Sequence, residues 1–381
     1  MKTTTSAFAL FSILAASNLN AAIEDQNLND NLNFNVYASV NISDITAWNG
    51  GSAGAQNFTP ARVAYDGSAN LYIACWDNDW STTNLSSIIK VENATTNPQA
   101  SLTAMQYNIN AGSPLTSLDY HNGNLIAAYA INPYAFDHAD SYITSFNTAT
   151  ESINWSYVGD GSNVGHQPTS GAAYNPAAQA TSFFSMGYTF YNIDDQGAVT
   201  HTTTPSLKTQ DRPTGLLALD FDSQGNAAYL DYSLTQGNGA LTYAAYDSDT
   251  NSYATQTIFT FTGTDANYSN NGYDLALINI DGSDPLFALS LVPGTTATTS
   301  TGITLNDSAV YILDIAGNLT AASAHGWANV HGVDFINDTL VVTNAHSETI
   351  EFINISVPEP ASLALFSLTA IPLLTRRKRQ L

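Results

Sequence analysis

HGVDFINDTLVVTNAHSETIEFINI, residues 331–355, reads as three strands in succession. Val333 to Ile336 is a short apolar stretch broken by one acid, Leu340 to Val342 is an unbroken apolar run, and Ile350 to Ile355 is apolar again. Asn337-Asp338 separates the first two, and both residue types accept the positive φ that a tight hairpin needs. A polar loop leads to the third strand, and Val357-Pro358-Glu359-Pro360 follows, where proline denies the ladder an N–H. The unit is therefore strand, tight turn, strand, loop, strand, with a fourth strand missing.

The same grammar runs through the chain. ARVAYDGSANLYIA from Ala61, PLTSLDYHNGNLIAAY from Pro114, PTSGAAYNPAAQATSFF from Pro168, PTGLLALDFDSQGNAAYL from Pro213 and GYDLALINIDGSDPLFAL from Gly272 repeat its first hairpin. A second hairpin follows each in turn, as in YITSFNTATESINW from Tyr142 and AVYILDIAGNL from Ala309. First-strand starts at Ala61, Pro114, Pro168, Pro213, Gly272 and His331 lie 53, 54, 45, 59 and 59 residues apart, a blade-sized period. The expectation is an all-β, six-bladed β-propeller over residues 22–356, five or seven blades being the neighbouring solutions. NFNVYASVNI from Asn33 supplies the strand that the last blade lacks, and pairing the Val36 and Phe352 neighbourhoods would close the ring. The Thr- and Gly-rich segment from Val292 to Asn306 reads as a loop inserted in the fifth blade. These units resemble blades of NHL-type and quinoprotein-type propellers, clearest in the stretch from His331 and in SFNTATESINW; the resemblance implies the fold and no activity.

Residues 1–21 read as a secretory signal peptide: Lys2 is the only charge before Glu24, Ala7 to Ala16 is apolar, and Ala21-Ala22 offers small residues for cleavage. At the other end, Val357-Pro358-Glu359-Pro360 precedes a 14-residue apolar run, 361–374, and then Arg376, Arg377, Lys378 and Arg379. As a helix the run would be about 21 Å long, short for a bilayer unless the flanking cations snorkel. Residues 357–381 resemble a PEP-CTERM sorting signal. That resemblance implies an exopolysaccharide-producing Gram-negative source, export, transient anchoring in the inner membrane by a short transmembrane helix, and hand-over to an exosortase-type membrane protease. The body would then reside at the cell surface or in the extracellular matrix.

Charge narrows the partners. Between Ala22 and Ser356 the chain has 31 acidic residues against Arg62, Lys90, Lys208 and Arg212, a net of −27. Such a field repels nucleic acid, which is excluded as a partner, and suits neutral sugars, exopolysaccharide and cations. Cys75 is the only cysteine, so no intrachain disulfide holds the fold.

In a propeller the loops between second and third strands share one face with the starts of the first strands. That face would gather Trp76, Asp77, Asp79, Trp80, Tyr134, Asp137, His138, Asp231, Tyr232, Asn344, His346 and Glu348 with His166, Arg212 and His331. Two indoles flanking two carboxylates in WDNDW suit a sugar, whose C–H faces stack on rings while its hydroxyls donate to acids. The same loop also reads as tryptophans capping a blade. DFDSQGNAAYLD places Asp220, Asp222, Gln224 and Asp231 at positions 1, 3, 5 and 12 of a calcium-type loop, and calcium is the cofactor this spacing suits. A hairpin turn uses the same residue types. The motifs of nucleophilic hydrolases and of phosphate-binding loops are absent from the sequence. A surface or matrix protein binding polysaccharide or cations is the first expectation, and a propeller hydrolase or lyase on a sugar-based polymer the second.

Overall fold

The structure, a computed structural model, describes residues 32–41, 58–77, 87–96, 99–106, 115–130, 141–158, 168–185, 190–201, 214–233, 239–260, 272–280, 283–291, 296–299, 301–306, 309–324, 332–344 and 349–356. The expected signal peptide and sorting tail lie outside these residues. Among the described residues no helix is long and apolar enough to cross a membrane.

Strand β1 (Asn33–Asn41) comes first, and blade one follows as β2 (Phe58–Tyr65), β3 (Leu71–Asp77), β4 (Ser87–Glu92) and β5 (Gln99–Gln106). Blade two is β6 (Leu115–His121), β7 (Asn124–Ala130), β8 (Ser141–Asn147) and β9 (Ser152–Val158). Blade three is β10 (Pro168–Asn175), β11 (Ala180–Ser185), β12 (Phe190–Ile193) and β13 (Val199–His201). Blade four is β14 (Thr214–Phe221), β15 (Ala227–Ser233), β16 (Gly239–Asp247) and β17 (Ser252–Thr260). Blade five opens with β18 (Gly272–Ile278) and β19 (Leu286–Leu291), is interrupted by a small hairpin of β20 (Thr296–Thr298) and β21 (Thr304–Asn306), and resumes with β22 (Ala309–Asp314) and β23 (Leu319–Ala324). Blade six is β24 (Val333–Ile336), β25 (Thr339–Asn344) and β26 (Thr349–Ser356), and β1 is its outer strand.

Each blade is an antiparallel four-stranded sheet, and the first strands touch in sequence around a ring, β2 to β6, β10, β14, β18, β24 and back to β2. Six blades are the count. The ring is closed by chain pairing rather than by docking alone: Asn33 lies opposite Ser356, Ala38 opposite Phe352 and Asn41 opposite Thr349, with one bulge between Val36 and Ala38. The segment expected as a loop from Val292 forms the β20–β21 hairpin, because it has apolar groups to bury. Leu305 is inaccessible within the core between blades four and five, and the Thr301 hydroxyl donates to Gly317 O at 3.3 Å.

Hydrophobic clusters fill the six junctions between blades, one each. Residues alternate along every inner strand between the two neighbouring junctions, so Leu275 and Leu277 pack toward blade four while Ala276 and Ile278 pack toward blade six. Both faces of an inner strand are therefore apolar, as in β19, which is buried throughout. Outer strands lose this constraint, and in β9 Ile153 is 60% exposed. Two-residue turns connect the first hairpins of blades two and six, with φ of 46° and 80° at Asn122-Gly123 and of 50° and 60° at Asn337-Asp338. Positive φ at both positions matches the twist of the flanking strands.

Phe352 sits at the closing junction, inaccessible and edge-on to Tyr65 at 5.3 Å between ring centres. Phe352→Ala is expected to lower the unfolding free energy by about 3–5 kcal/mol, whereas exposed Ile153→Ala should stay within about 0.5 kcal/mol of the parent. Paired denaturant titrations of the two variants check this.

Candidate functional site

The first strand of each blade is the inner edge of its sheet, and an edge strand leaves backbone N–H groups without a ladder partner. Carboxylates meet that need here. Asp119 Oδ2 in blade two accepts the N–H of Tyr174 in blade three at 2.7 Å. Asp220 in blade four accepts Leu277 N–H of blade five at 2.7 Å, and Asp334 in blade six accepts Tyr65 N–H of blade one at 2.6 Å. The residues just before the three donors are Ala64, Ala173 and Ala276, all buried. Aspartate and alanine thus alternate around the ring at one level, acids on even blades and alanines on odd ones.

A second level lies two residues earlier in the same strands. Asp274 of blade five accepts Val333 N–H of blade six at 3.0 Å and pairs with the Arg62 guanidinium of blade one at 2.7 Å. Blade six stands between them and carries Gly332 at that level; a Cβ there would come within 3.2 Å of Arg62 Cα and of Val63 N. Ser117 Oγ, at the same level in blade two, donates to Ala172 O at 2.6 Å. These side chains plug the middle of the channel around a void of about 20 Å³ lined by Asp220, Asp274 and Asp334.

Beyond the plug, at the end where the first hairpins turn, the channel widens into a cavity of about 420 Å³. Asp119 and Asp334 look into it, with Phe221, Phe335, Asn279 and a His121–Tyr174 stack whose ring centres are 3.5 Å apart. Burial pushes Asp119 up to about 6 although the N–H groups of Tyr174 and Tyr120 oppose it. It pushes Asp334 up to about 7 against the N–H groups of Tyr65 and Phe335, helped by the charges of Asp119 and Asp274. Asp220 is raised well above the carboxylate range by burial and by the charges of Asp119 and Asp334. For Asp274 burial outweighs the Arg62 charge, and the group lies at about 6. Burial lowers His121, opposed by the Asp195 charge, which favours the neutral ring. The cavity is thus a small mixed pocket in which two carboxyl groups can hold or release a proton near neutral pH.

The sequence-predicted site residues fall elsewhere. Trp76 and Asp77 end β3, Asp231 and Tyr232 lie late in β15, and Asn344 ends β25, all at the channel end opposite the cavity. The backbone brings these five to one rim. Asp79, Trp80, Tyr134, Asp137, His138, His166, Arg212, His331, His346 and Glu348 lie outside the described residues, as do Val357–Pro360 and Arg376–Arg379. Asp220, Asp222, Gln224 and Asp231 do not converge: their stretch is the β14–β15 hairpin, where Asp231 lies opposite Leu216, far along the ladder from the turn. Asp222 closes that turn by accepting the N–H groups of Gln224 and Asn226 and the side-chain amides of Asn226 and Asn279. Asp66 with Asn70 and Asp314 with Asn318 build the same turn. Among the described residues no group of three or more His, Cys, Asp or Glu is placed to hold a metal ion.

Sequence reasoning passed over Asp119 and Asp334, and Asp274 with them. The signal was present as an acid followed by an aromatic inside an otherwise apolar first strand, Asp119-Tyr120, Asp220-Phe221 and Asp334-Phe335. The chain matches no protein-family model and no curated protein.

Two outcomes test this centre. The folded state keeps protons on Asp119, Asp274 and Asp334 that the unfolded chain, with carboxyls near 3.9, gives up, so their stabilising contribution is full below about pH 4 and is lost as pH rises through about 6 to 7. Asp66 runs the other way: its turn N–H groups outweigh burial and hold it below the usual range, so it destabilises only in stronger acid. Melting temperature should therefore fall between pH 5 and pH 8, and Asp334→Asn, which keeps an acceptor for Tyr65 N–H and removes the charge, should flatten the slope. For the ion pair, Arg62→Ala strands Asp274 and is expected to cost about 3–5 kcal/mol, whereas joint replacement by Met and Leu should recover most of it. A double-mutant cycle by denaturant unfolding reads the difference.

Proposed function

We propose that the chain is an exported surface or matrix protein whose propeller binds polysaccharide or cations, and whose last 25 residues are a sorting signal removed by an exosortase-type membrane protease. The observation that carries this reading is where the ring closes. Blade six is complete at Ser356, paired to Asn33, one residue before Val357-Pro358-Glu359-Pro360. A segment that contributes no strand to the closed ring can be cut away without opening it. Its order of Pro-Glu-Pro, apolar run and basic cluster is that of the PEP-CTERM signal it resembles, and the apolar, cleavable start of the chain fits export through the Sec route.

The binding face in this reading is the rim to which Trp76, Asp77, Asp231, Tyr232 and Asn344 are brought, where an indole and carboxylates suit sugar hydroxyls. Calcium enters as a bridge between an acidic body and an anionic polymer, held weakly and at several places. A hydrolase or lyase acting on a sugar-based polymer is the second reading. It is favoured by one observation, the two cavity carboxyls raised into the working range of a general acid. Their commitment to backbone N–H groups of the next blade weighs toward an architectural role.

Replacing Pro358-Glu359-Pro360 by alanines in an exopolysaccharide-producing Gram-negative host should leave export intact and stop maturation, so the full-length form accumulates with the membrane. Processing at the parental rate would overturn the sorting reading. In the released protein, joint Trp76→Ala and Trp80→Ala should reduce retention on the host polysaccharide about tenfold or more; unchanged retention would overturn binding by that face.

A further inference from the structure

The path of the last blade fixes which face of the propeller the tail leaves from. β24 runs into the Asn337-Asp338 turn, β25 returns from it, and β26 comes back to the same end, where Ile355 N–H donates to Asp338 O at 2.9 Å. β1 starts there too, Asn33 opposite Ser356. Every turn between first and second strands and between third and fourth strands lies at this end. Backbone bonds tie the two kinds together, as from Ala94 N–H to Ala69 O and from Thr148 N–H to Gly123 O, both 2.9 Å. The cavity opens on the same face.

Val357 to Pro360 is four residues, which reach at most about 14 Å even when fully extended. The apolar run from Ala361 therefore begins within that distance of Ser356. β1 alone is nine residues long, about 30 Å from the turn face to the opposite rim. If the run enters a bilayer, the turn face is close to the membrane surface and the opposite rim is not.

We infer that in the tethered precursor the turn face is the membrane-proximal face, that the tail alone holds it there, and that the rim carrying Trp76, Asp231 and Asn344 faces away from the lipid. The inference rests on the reading of the tail as a membrane-entering sorting signal. Electrostatics supplies the second half of it. The described turns of this face carry Asp66, Glu151, the pair Asp194-Asp195, Asp222, Asp247, Asp249, Asp284, Asp314 and Asp338, and no Lys or Arg. Anionic headgroups repel such a surface, so it has no adhesion of its own to a phospholipid bilayer. Cutting the tail then frees the body, and the polymer-facing rim is already turned outward before the cut.

The test uses the full chain in phosphatidylethanolamine–phosphatidylglycerol vesicles, with Cys75→Ser and one new cysteine at either end of β1, Asn33→Cys or Asn41→Cys, each carrying a fluorophore. Nitroxide-headgroup lipid should quench the label at position 33 at least threefold more than the label at position 41, and Leu365→Asp with Leu368→Asp should abolish flotation with the vesicles. A parental chain that does not float overturns the tail reading and the orientation with it. Flotation with equal quenching, or with stronger quenching at position 41, overturns the orientation and leaves the sorting reading standing. Flotation that survives the two aspartates overturns the claim that the tail alone holds the face.

Discussion

A propeller has to satisfy the inner edges of its blades, and in this chain an aspartate reaching from one first strand to the backbone of the next does so. Ordinary sheets hide an edge by pairing it or covering it, but the first strands run side by side around a channel and cannot form a ladder with one another. A buried N–H left without a partner costs about as much as a lost hydrogen bond, roughly 1–3 kcal/mol. Asp119, Asp220 and Asp334 each remove one such orphan and at the same time fix the rotation of one blade against its neighbour. The hydrophobic junctions supply most of the cohesion, but apolar contact is not directional and does not by itself set that angle.

Why only alternate blades carry the acid follows from charge. Six carboxylates at one level of a narrow channel would repel one another in a low-dielectric setting, and even three raise each other's proton affinity, as Asp119 and Asp334 do for Asp220. Alanine on the odd blades keeps the level apolar between them. At the next level the chain uses one cation, Arg62, and spends it on Asp274, the one acid of the channel that also bonds Val333 across the junction next to the closing one. Gly332 makes room for that pair. Blades five, six and one are therefore joined by the β1–β26 ladder at the rim and by the Asp334 and Asp274 contacts at the axis, which places the strongest ties where a ring assembled from both chain ends is most exposed to opening.

Much of this architecture was legible because it obeys local rules. Asn122-Gly123 and Asn337-Asp338 announce hairpins by residue type, strands such as Leu286 to Leu291 announce two buried faces by unbroken apolarity, and a last blade one strand short directs attention to Asn33. The channel was not legible for the same reason. An acid in a strand ordinarily marks a solvent-facing position, and nothing local distinguishes Asp119, which looks into a channel, from Asp247, which looks into water. Only the repetition of acid-aromatic at the same place in three first strands carries the difference. Asp222 shows the converse: spacing that suits a calcium loop is also the spacing of an Asp–Asn turn, and the backbone N–H groups occupy the carboxylate that an ion would need. The β20–β21 hairpin was hidden by composition, since Thr and Gly dominate it and only Leu305 and Ile303 reveal that it packs.

The acidity of the chain thus divides into three kinds of group with different causes. Channel acids are drawn inward by orphan N–H groups and kept partly protonated by burial. Turn acids such as Asp66, Asp222 and Asp314 accept the backbone of their own loop, and their charge at the surface is a by-product of a turn geometry used over and over. The remaining surface acids answer to neither demand. A net charge of −27 therefore cannot be taken whole as the signature of a ligand, because a large part of it follows from building tight turns in a chain that is poor in lysine and arginine. What the charge does fix is a consequence of where those turns lie. Since both kinds of turn fall on one face, the propeller is electrostatically one-sided, and that side is the one from which the chain leaves at Ser356.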